Sequence, residues 1–305
     1  MSEEFLRAYQ DLIEKHHIDS PLKAANAVVA HTVALAAGDA KGPRKCALLI
    51  GINYFGQNGE LRGCLNDIDN MHAYLKGCGY TEFTILKDSK NDPYHKAPNS
   101  PTKANILVAM KSFISGLKDG SSGYIHYSGH GSHLDDNGTD EIDGRDECIC
   151  PVDFESGGAD GGFIRDDDLN KTLVQALAPG ARLRICFDAC HSGSAIDLPF
   201  RWVSNTRMVT ENTTKGTKDI IFISGCMDSQ TSADASFSGQ SAGAMTWALL
   251  AALYDIKKSG KNASKWTWKE LVQMMRANLR KEQYDQIPQL GLTHVEQAGE
   301  CVDLL

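Results

Sequence analysis

The sequence predicts an α/β fold, a mainly parallel central sheet with helices on both faces, and three observations carry that expectation. Apolar runs suited to strands buried on both faces occur at 45–52, 83–87, 123–129, 182–188 and 219–225. Helical spacing of apolar residues appears at about 66–77, 102–117, 167–177, 241–257 and 267–280. The two kinds of segment alternate, which is the order of βαβ units rather than of separate all-β and all-α halves.

Taken in order, residues 3–17 place Phe5, Leu6, Tyr9, Leu12 and Ile13 at helical spacing with charges between them. This reads either as an amphipathic helix packed on the main body or as a separable pro-segment. The stretch from Gly38 to Lys45 is small, basic and contains Pro43, so it reads as a linker. The chain therefore divides into an N-terminal segment, 1–43, and a main domain, 44–305. Asn66 or Asp67, Thr102 and Ser241 are the expected helix starts. Residues Pro288-Gln289-Leu290-Gly291-Leu292 are expected to form a late edge strand. Two stretches read as long loops, acidic 132–148 and polar 198–218, and long loops in a compact domain are usually functional or mobile.

The bulk properties exclude several classes. A length of 305 residues with 42% hydrophobic and 23% charged content is that of a globular chain able to bury a sizeable core. A formal net charge of −8 argues against a nucleic-acid binder. Nine cysteines include no Cys-x-x-Cys pair, which disfavours a zinc ribbon or a thioredoxin-like site. The longest uncharged apolar stretch, 24–37, is too short to cross a bilayer and contains Asn26, His31 and Thr32. No basic-then-apolar signal opens the chain, and Ser2 does not suit myristoylation, so a cytoplasmic, reducing setting is expected.

Two polar segments that follow apolar strands carry the chemistry. Tyr127-Ser128-Gly129-His130-Gly131 follows Tyr124-Ile125-His126, and Asp188-Ala189-Cys190-His191-Ser192-Gly193 follows Leu183-Arg184-Ile185-Cys186-Phe187. Each puts a reactive side chain where a buried strand runs out into a glycine turn, and ligands collect at such strand ends in open α/β sheets. A thiol and an imidazole so placed are the parts of a nucleophile–base pair. Cys190 would attack, and His130 would hold the thiol proton and return it to the leaving amine. His191 is a rival base, although neighbouring side chains at a strand end diverge. His126 lies within its strand, as a core group or one that supports the site from behind, and His133 sits in the acidic loop facing solvent.

These two segments resemble the histidine and cysteine motifs of the metacaspases, relatives of the caspases. So do Ala47-Leu48-Leu49-Ile50-Gly51-Ile52-Asn53-Tyr54, Leu61-Arg62-Gly63-Cys64-Leu65-Asn66-Asp67 and Pro151-Val152-Asp153-Phe154. The resemblance runs in order from about residue 44 to the C-terminus, and the lack of a large inserted linker is similar to type I members. It implies a caspase-like three-layer sandwich, a His130–Cys190 dyad and cleavage after arginine or lysine. It also implies a substrate pocket formed by Cys64, Asp67, Ser128 and Asp188. The physical logic of that pocket is plain: a desolvated cation needs a carboxylate, and arginine can be gripped bidentately. Taken singly, Asp67 could instead cap the helix after Asn66, and Asp188 could satisfy turn amides.

The acids crowd into 135–147, Asp166-Asp167-Asp168 and Asp197. Alone, this is either a solvated acidic face with an acidic helix N-terminus or a calcium site, although the spacing is not that of an EF-hand. The resemblance implies calcium, with Asp146, Asp166, Asp167 and Asp197 as ligands, an ion that would order the loop after Cys190. Self-cleavage is expected at Arg201, Arg207, Lys215 or Lys218, basic residues of the long polar loop near the site. The expected partners are peptides or proteins with a basic residue before the scissile bond, with no nucleic acid, no membrane insertion and a monomeric chain. The competing readings are an α/β-hydrolase built on Gly239-Gln240-Ser241-Ala242-Gly243, which lacks the apolar strand such an elbow needs, and a catalytically silent scaffold.

Overall fold

A computed structural model describes residues 44–135, 145–156, 161–189, 195–210, 218–225, 234–237, 240–259 and 265–304. The N-terminal segment 1–43 and Cys190 lie outside the described residues.

The first half of the domain comprises β1 (Lys45–Gly51), α1 (Cys64–Gly77), β2 (Glu82–Lys87), α2 (Lys103–Gly116) and β3 (Ser122–Ser128). A small antiparallel sheet follows, formed by β4 (Gly131–Asp135), β5 (Arg145–Ile149) and β6 (Ile164–Arg165). Next come the single turn α3 (Asp166–Leu169), which runs on as a π-helical turn over Asn170–Gln175, and β7 (Arg182–Asp188). The second half holds β8 (Phe200–Trp202), β9 (Met208–Thr210), β10 (Asp219–Ser224), β11 (Asp234–Phe237), β12 (Gln240–Gly243), α4 (Ala244–Lys258), α5 (Trp268–Lys281) and β13 (Gln289–Leu292).

The main sheet has eight strands in the order β2-β1-β3-β7-β10-β13-β8-β9. From β2 to β10 all pairings are parallel, and from β10 onward they are antiparallel. Alternation along β1 sends its side chains to two separate cores. Leu48 and Ile50 pack on one face with Ile106, Met110 and Phe113 of α2 and Leu169 of α3. Ala47 and Leu49 pack on the other face with Ile68 and Met71 of α1, Leu249 and Leu253 of α4, and Leu271 and Met275 of α5. The result is the expected three-layer arrangement.

Several boundaries differ from expectation, each for a local reason. The strand at Gln289–Leu292 is not an edge, because β8 pairs with its outer side. The stretch 198–218 is therefore not a plain loop: its first part forms the β8–β9 hairpin that extends the sheet. Likewise 132–148 begins and ends in strands β4 and β5, paired from Gly131↔Ile149 to Asp135↔Arg145. Helix α4 starts at Ala244 rather than Ser241, because Ser241 is drawn into the β11–β12 hairpin opposite Ser236. Helix α1 starts at Cys64, ahead of Asn66 and Asp67, with the Asp67 N–H already bonded to the Gly63 carbonyl at 3.0 Å. Thr102 does start α2, its hydroxyl accepting the Asn105 N–H at 3.2 Å.

Candidate active site

The chain runs from β1 outward to β2, then returns to place β3 on the other flank of β1. Strand order thus reverses at β1 and β3, and a crevice opens at such a switch point beyond the carboxyl ends of the strands. Three segments leave the sheet there: Asn53-Tyr54 after β1, Ser128-Gly129-His130 at the end of β3, and Asp188-Ala189 at the end of β7. Strands β3 and β7 are adjacent and parallel, in a register that sets Ser128 beside Asp188. The Gly129 N–H extends the pairing, donating to the Asp188 carbonyl at 3.3 Å. Gly129-His130 and Ala189 therefore leave neighbouring strand ends. The residue after Ala189 in the sequence is Cys190.

The backbone around His130 is held from three sides. Its N–H donates to the Tyr54 hydroxyl at 2.9 Å, and its carbonyl accepts the Tyr127 hydroxyl at 2.7 Å and the Cys150 N–H at 3.1 Å. Its ring lies against that of Tyr54, with centroids 4.7 Å apart and planes tilted by 35°. Tyr54 occupies the left-handed region at φ 55°, a costly conformation for an aromatic residue. Asp88 holds it there by accepting the Asn53 N–H at 2.9 Å and the Phe55 N–H at 3.3 Å. Burial pushes the Asp88 carboxyl up, while those amides pull it back.

The imidazole Nε2 of His130 lies 2.6 Å from the Gly59 carbonyl oxygen. A carbonyl only accepts, so Nε2 carries the proton and the lone pair resides on Nδ1. Glycine suits position 59 twice over: φ is +79°, and a Cβ there would stand 3.1 Å from Nε2.

Behind His130 two carboxylates are sunk into the protein. Asp67 is fully buried and Asp188 is 4% exposed. The Asp67 Oδ2 accepts the Ser128 hydroxyl at 2.6 Å, and both its oxygens lie 3.0 Å from the Gly243 N–H. The Asp188 Oδ2 accepts the Thr246 N–H at 2.8 Å and the Thr246 hydroxyl at 2.7 Å. Thr246 lies in the first turn of α4, so Asp188 also meets the positive end of that helix. Cys64, buried, sits one turn before Asp67 on the same face of α1. A Cβ on Gly243 would lie 2.1 Å from Asp188 Oδ2 and 2.8 Å from Asp67 Oδ2, so both carboxylates flank one point. Gly243→Ala is therefore expected to destabilise the fold by about 1–3 kcal/mol, measured by urea denaturation, through overpacking against groups that cannot yield.

Of the predicted calcium ligands, Asp146 and Asp166 come together. Asp146 is ion-paired with Arg165, and Asp166 accepts the Glu147 N–H at 2.7 Å and the Asp167 N–H at 2.8 Å. Burial pushes the Asp166 carboxyl up to about 6, and the charges of Asp146 and Asp167 push the same way. Asp167 is exposed, and Asp197 sits at φ 46° between β7 and β8. The donors are hard oxygens of the kind calcium takes. Among the described residues, however, no three His, Cys, Asp or Glu side chains converge as a metal site.

Comparison with known proteins decides the family. Residues 45–199 match the family model described as "Metacaspase, peptidase C14 domain". The chain is 38% identical to Metacaspase-1 of Ajellomyces capsulatus, over 83% of this chain and 80% of that one. The chain belongs to the metacaspases.

Metacaspase-1 of Meyerozyma guilliermondii is 36% identical, over 82% of this chain and 70% of that protein. Metacaspase-1A of Aspergillus oryzae is 37% identical, over 86% and 70%. Among solved structures, protein GSU0716 of Geobacter sulfurreducens superposes with a TM-score of 0.58 at 25% identity, covering 85% of this chain and 98% of that one. Membership makes the chain a cysteine peptidase with a caspase-like fold and protein substrates. No helix of the described residues is long and apolar enough to cross a membrane.

The α/β-hydrolase alternative fails on local structure in this metacaspase. Ser241 sits inside strand β12, not at a sharp strand-to-helix turn, and α4 begins only at Ala244. The sequence reading missed four residues that shape the site: Tyr54, Gly59, Gly243 and Thr246. The Asn58-Gly59 pair is a turn signal that could have drawn attention to Gly59. Nothing local marks Thr246, which reaches Asp188 from a different part of the chain.

Proposed function

We propose that this metacaspase is an endopeptidase that cleaves after arginine or lysine through a Cys190–His130 dyad, is activated by calcium and can cut its own chain. The observation that carries the dyad is the Ser128↔Asp188 register, which sends the two reactive segments off adjacent strand ends. His130, with its proton on Nε2 held by Gly59, offers Nδ1 to the thiol. The thiol proton passes to Nδ1 and the thiolate adds to the scissile carbonyl carbon. Collapse of the tetrahedral adduct breaks the C–N bond, and the imidazolium proton goes to the leaving amine. Water then hydrolyses the thioester, with His130 as base, and the thiol is restored.

The basic preference rests on Asp67 and Asp188, two buried carboxylates flanking one point, which accept hydrogen bonds from Ser128, Gly243 and Thr246. A guanidinium or ammonium brings the positive charge that such a pair favours.

Asp146, Asp166, Asp167 and Asp197 would hold calcium. Burial, first, and the charges of Asp146 and Asp167, second, raise the Asp166 carboxyl, and a bound cation would offset both. The ion would fasten the stretch beyond residue 194 to the body of the domain and supply no chemistry to the scissile bond. For gathering the donors, Arg165 must first release Asp146.

A fluorogenic panel with Arg, Lys, Asp or Ala before the scissile bond, run with calcium and with chelator, tests the whole reading. Turnover of the Arg and Lys peptides alone, and only with calcium, is the expected result. Equal rates in chelator would remove the calcium role. Equal rates across the four peptides would remove the pocket, and no turnover of any would favour the scaffold.

A further inference from the structure

Asp188 cannot hold a substrate cation well unless its own orientation is fixed, and the structure shows what fixes it. Its Oδ2 takes two bonds from one residue, the N–H and the hydroxyl of Thr246, at 2.8 Å and 2.7 Å. A threonine hydroxyl has a single proton, so it can serve Asp188 only if no other acceptor claims that proton. The second neighbour of the same oxygen is His126 Nε2, at 3.1 Å, on a side chain with no exposed surface.

The carboxylate decides the direction of the chain. A hydrogen bond to an ionised acceptor is roughly twice as strong as one between neutral groups, so the Thr246 hydroxyl points at Asp188. The Thr246 oxygen is then an acceptor, and His126 must present Nε2–H to it. The imidazole is thereby held as the Nε2–H tautomer, with Nδ1 facing the Tyr124 hydroxyl at 3.4 Å. Burial drives His126 down to about 3, so it is neutral near pH 7. The opposite tautomer would turn Nε2 into an acceptor and draw the hydroxyl proton away from Asp188.

We propose that His126 and Thr246 are positioning residues for substrate selection: His126 donates to the Thr246 oxygen, and this directs the Thr246 hydroxyl onto Asp188 and locks the carboxylate for a basic side chain. His126 projects from the middle of β3 and touches neither of the reactive segments in these bonds. It acts on the substrate only through Thr246 and Asp188. This rests on the reading of Asp188 as part of the basic-residue pocket.

The test is Thr246→Val, which keeps the shape and the N–H but removes the hydroxyl, with Thr246→Ser as the restoring variant. Loss of a hydrogen bond to a charged group corresponds to a factor of roughly ten to a hundred. Thr246→Val is expected to raise KM for an arginine peptide by about that factor, with kcat within about twofold of wild type. Thr246→Ser should return KM to near wild type. His126→Phe should raise KM similarly, and the double variant should be no worse than Thr246→Val. The rate of Cys190 alkylation by iodoacetamide should be unchanged in all of them. Should Thr246→Val not fold, His126→Phe carries the same comparison. A lowered melting temperature with wild-type KM would make both residues merely structural and overturn the proposal. Additive KM effects in the double variant would break the link between them. A wild-type enzyme without preference for basic residues would instead sink the pocket reading itself, a result visible before any variant is made.

Discussion

Cys190→Ala is expected to lower turnover of an arginine peptide by on the order of 10⁴-fold or more, leaving the thermal unfolding of the domain unchanged. Removing a nucleophile from a covalent mechanism takes away the whole acylation route rather than one stabilising contact. His130→Ala should lower turnover less, by about 10²–10⁴-fold, because a small fraction of the thiol is thiolate even without its base. The same Cys190→Ala protein tests self-processing by intact-mass spectrometry. It should remain full-length while wild type is cut after Arg207 or Lys215. Arg201 is committed to the β8 ladder with Gly291, and Lys218 abuts β10 with its ammonium on the Leu177 carbonyl, so neither offers the open backbone a protease needs. Arg207 is exposed in the turn before β9, where its carbonyl accepts the Val203 N–H at 3.0 Å, so cleavage after it requires that turn to open. A Cys190→Ala enzyme with wild-type activity would end the dyad.

Asp188→Ala is expected to cut kcat/KM for arginine peptides by a factor of roughly 30 to 4,000, the equivalent of about 2–5 kcal/mol for losing one carboxylate of a desolvated charge pair. The structure adds a second consequence. Asp188 also accepts the Thr246 N–H in the first turn of α4, so its removal leaves that amide without its carboxylate partner. Losing such a partner at a helix start costs on the order of 1 kcal/mol, enough to lower the melting temperature without unfolding the domain. The two effects separate in the measurement. A folded but inactive Asp188→Ala enzyme that still alkylates at Cys190 is the expected outcome. Normal turnover of arginine peptides would remove Asp188 from the pocket.

Both variants concern residues that could be picked out before any coordinates. The five parallel strands were legible because a strand buried on both faces must be apolar along its length, and β7 falls on the expected residues, 182–188. The strand ends then advertise themselves through glycine turns that carry a histidine or a cysteine. What failed were boundaries set by strand pairing. The Gln289–Leu292 strand looks like an edge until β8, three residues long, is seen beside it. Ser241 looks like a helix start until Ser236 is seen across from it in the β11–β12 hairpin.

By itself the sequence determined the layered α/β fold and the family, and the family resemblance pointed to Asp67, Ser128, His130 and Asp188. Periodicity and strand-end chemistry are local properties, and they are written in consecutive residues. Only the tertiary structure decided that Gly59 sets the tautomer of His130, that a glycine at 243 lets two carboxylates share one point, and that Thr246 and His126 stand behind Asp188. Those relations join residues up to 176 positions apart, such as Asp67 and Gly243. A hydrogen bond depends on distance and direction in space, and the spacing of residues along the chain contains neither.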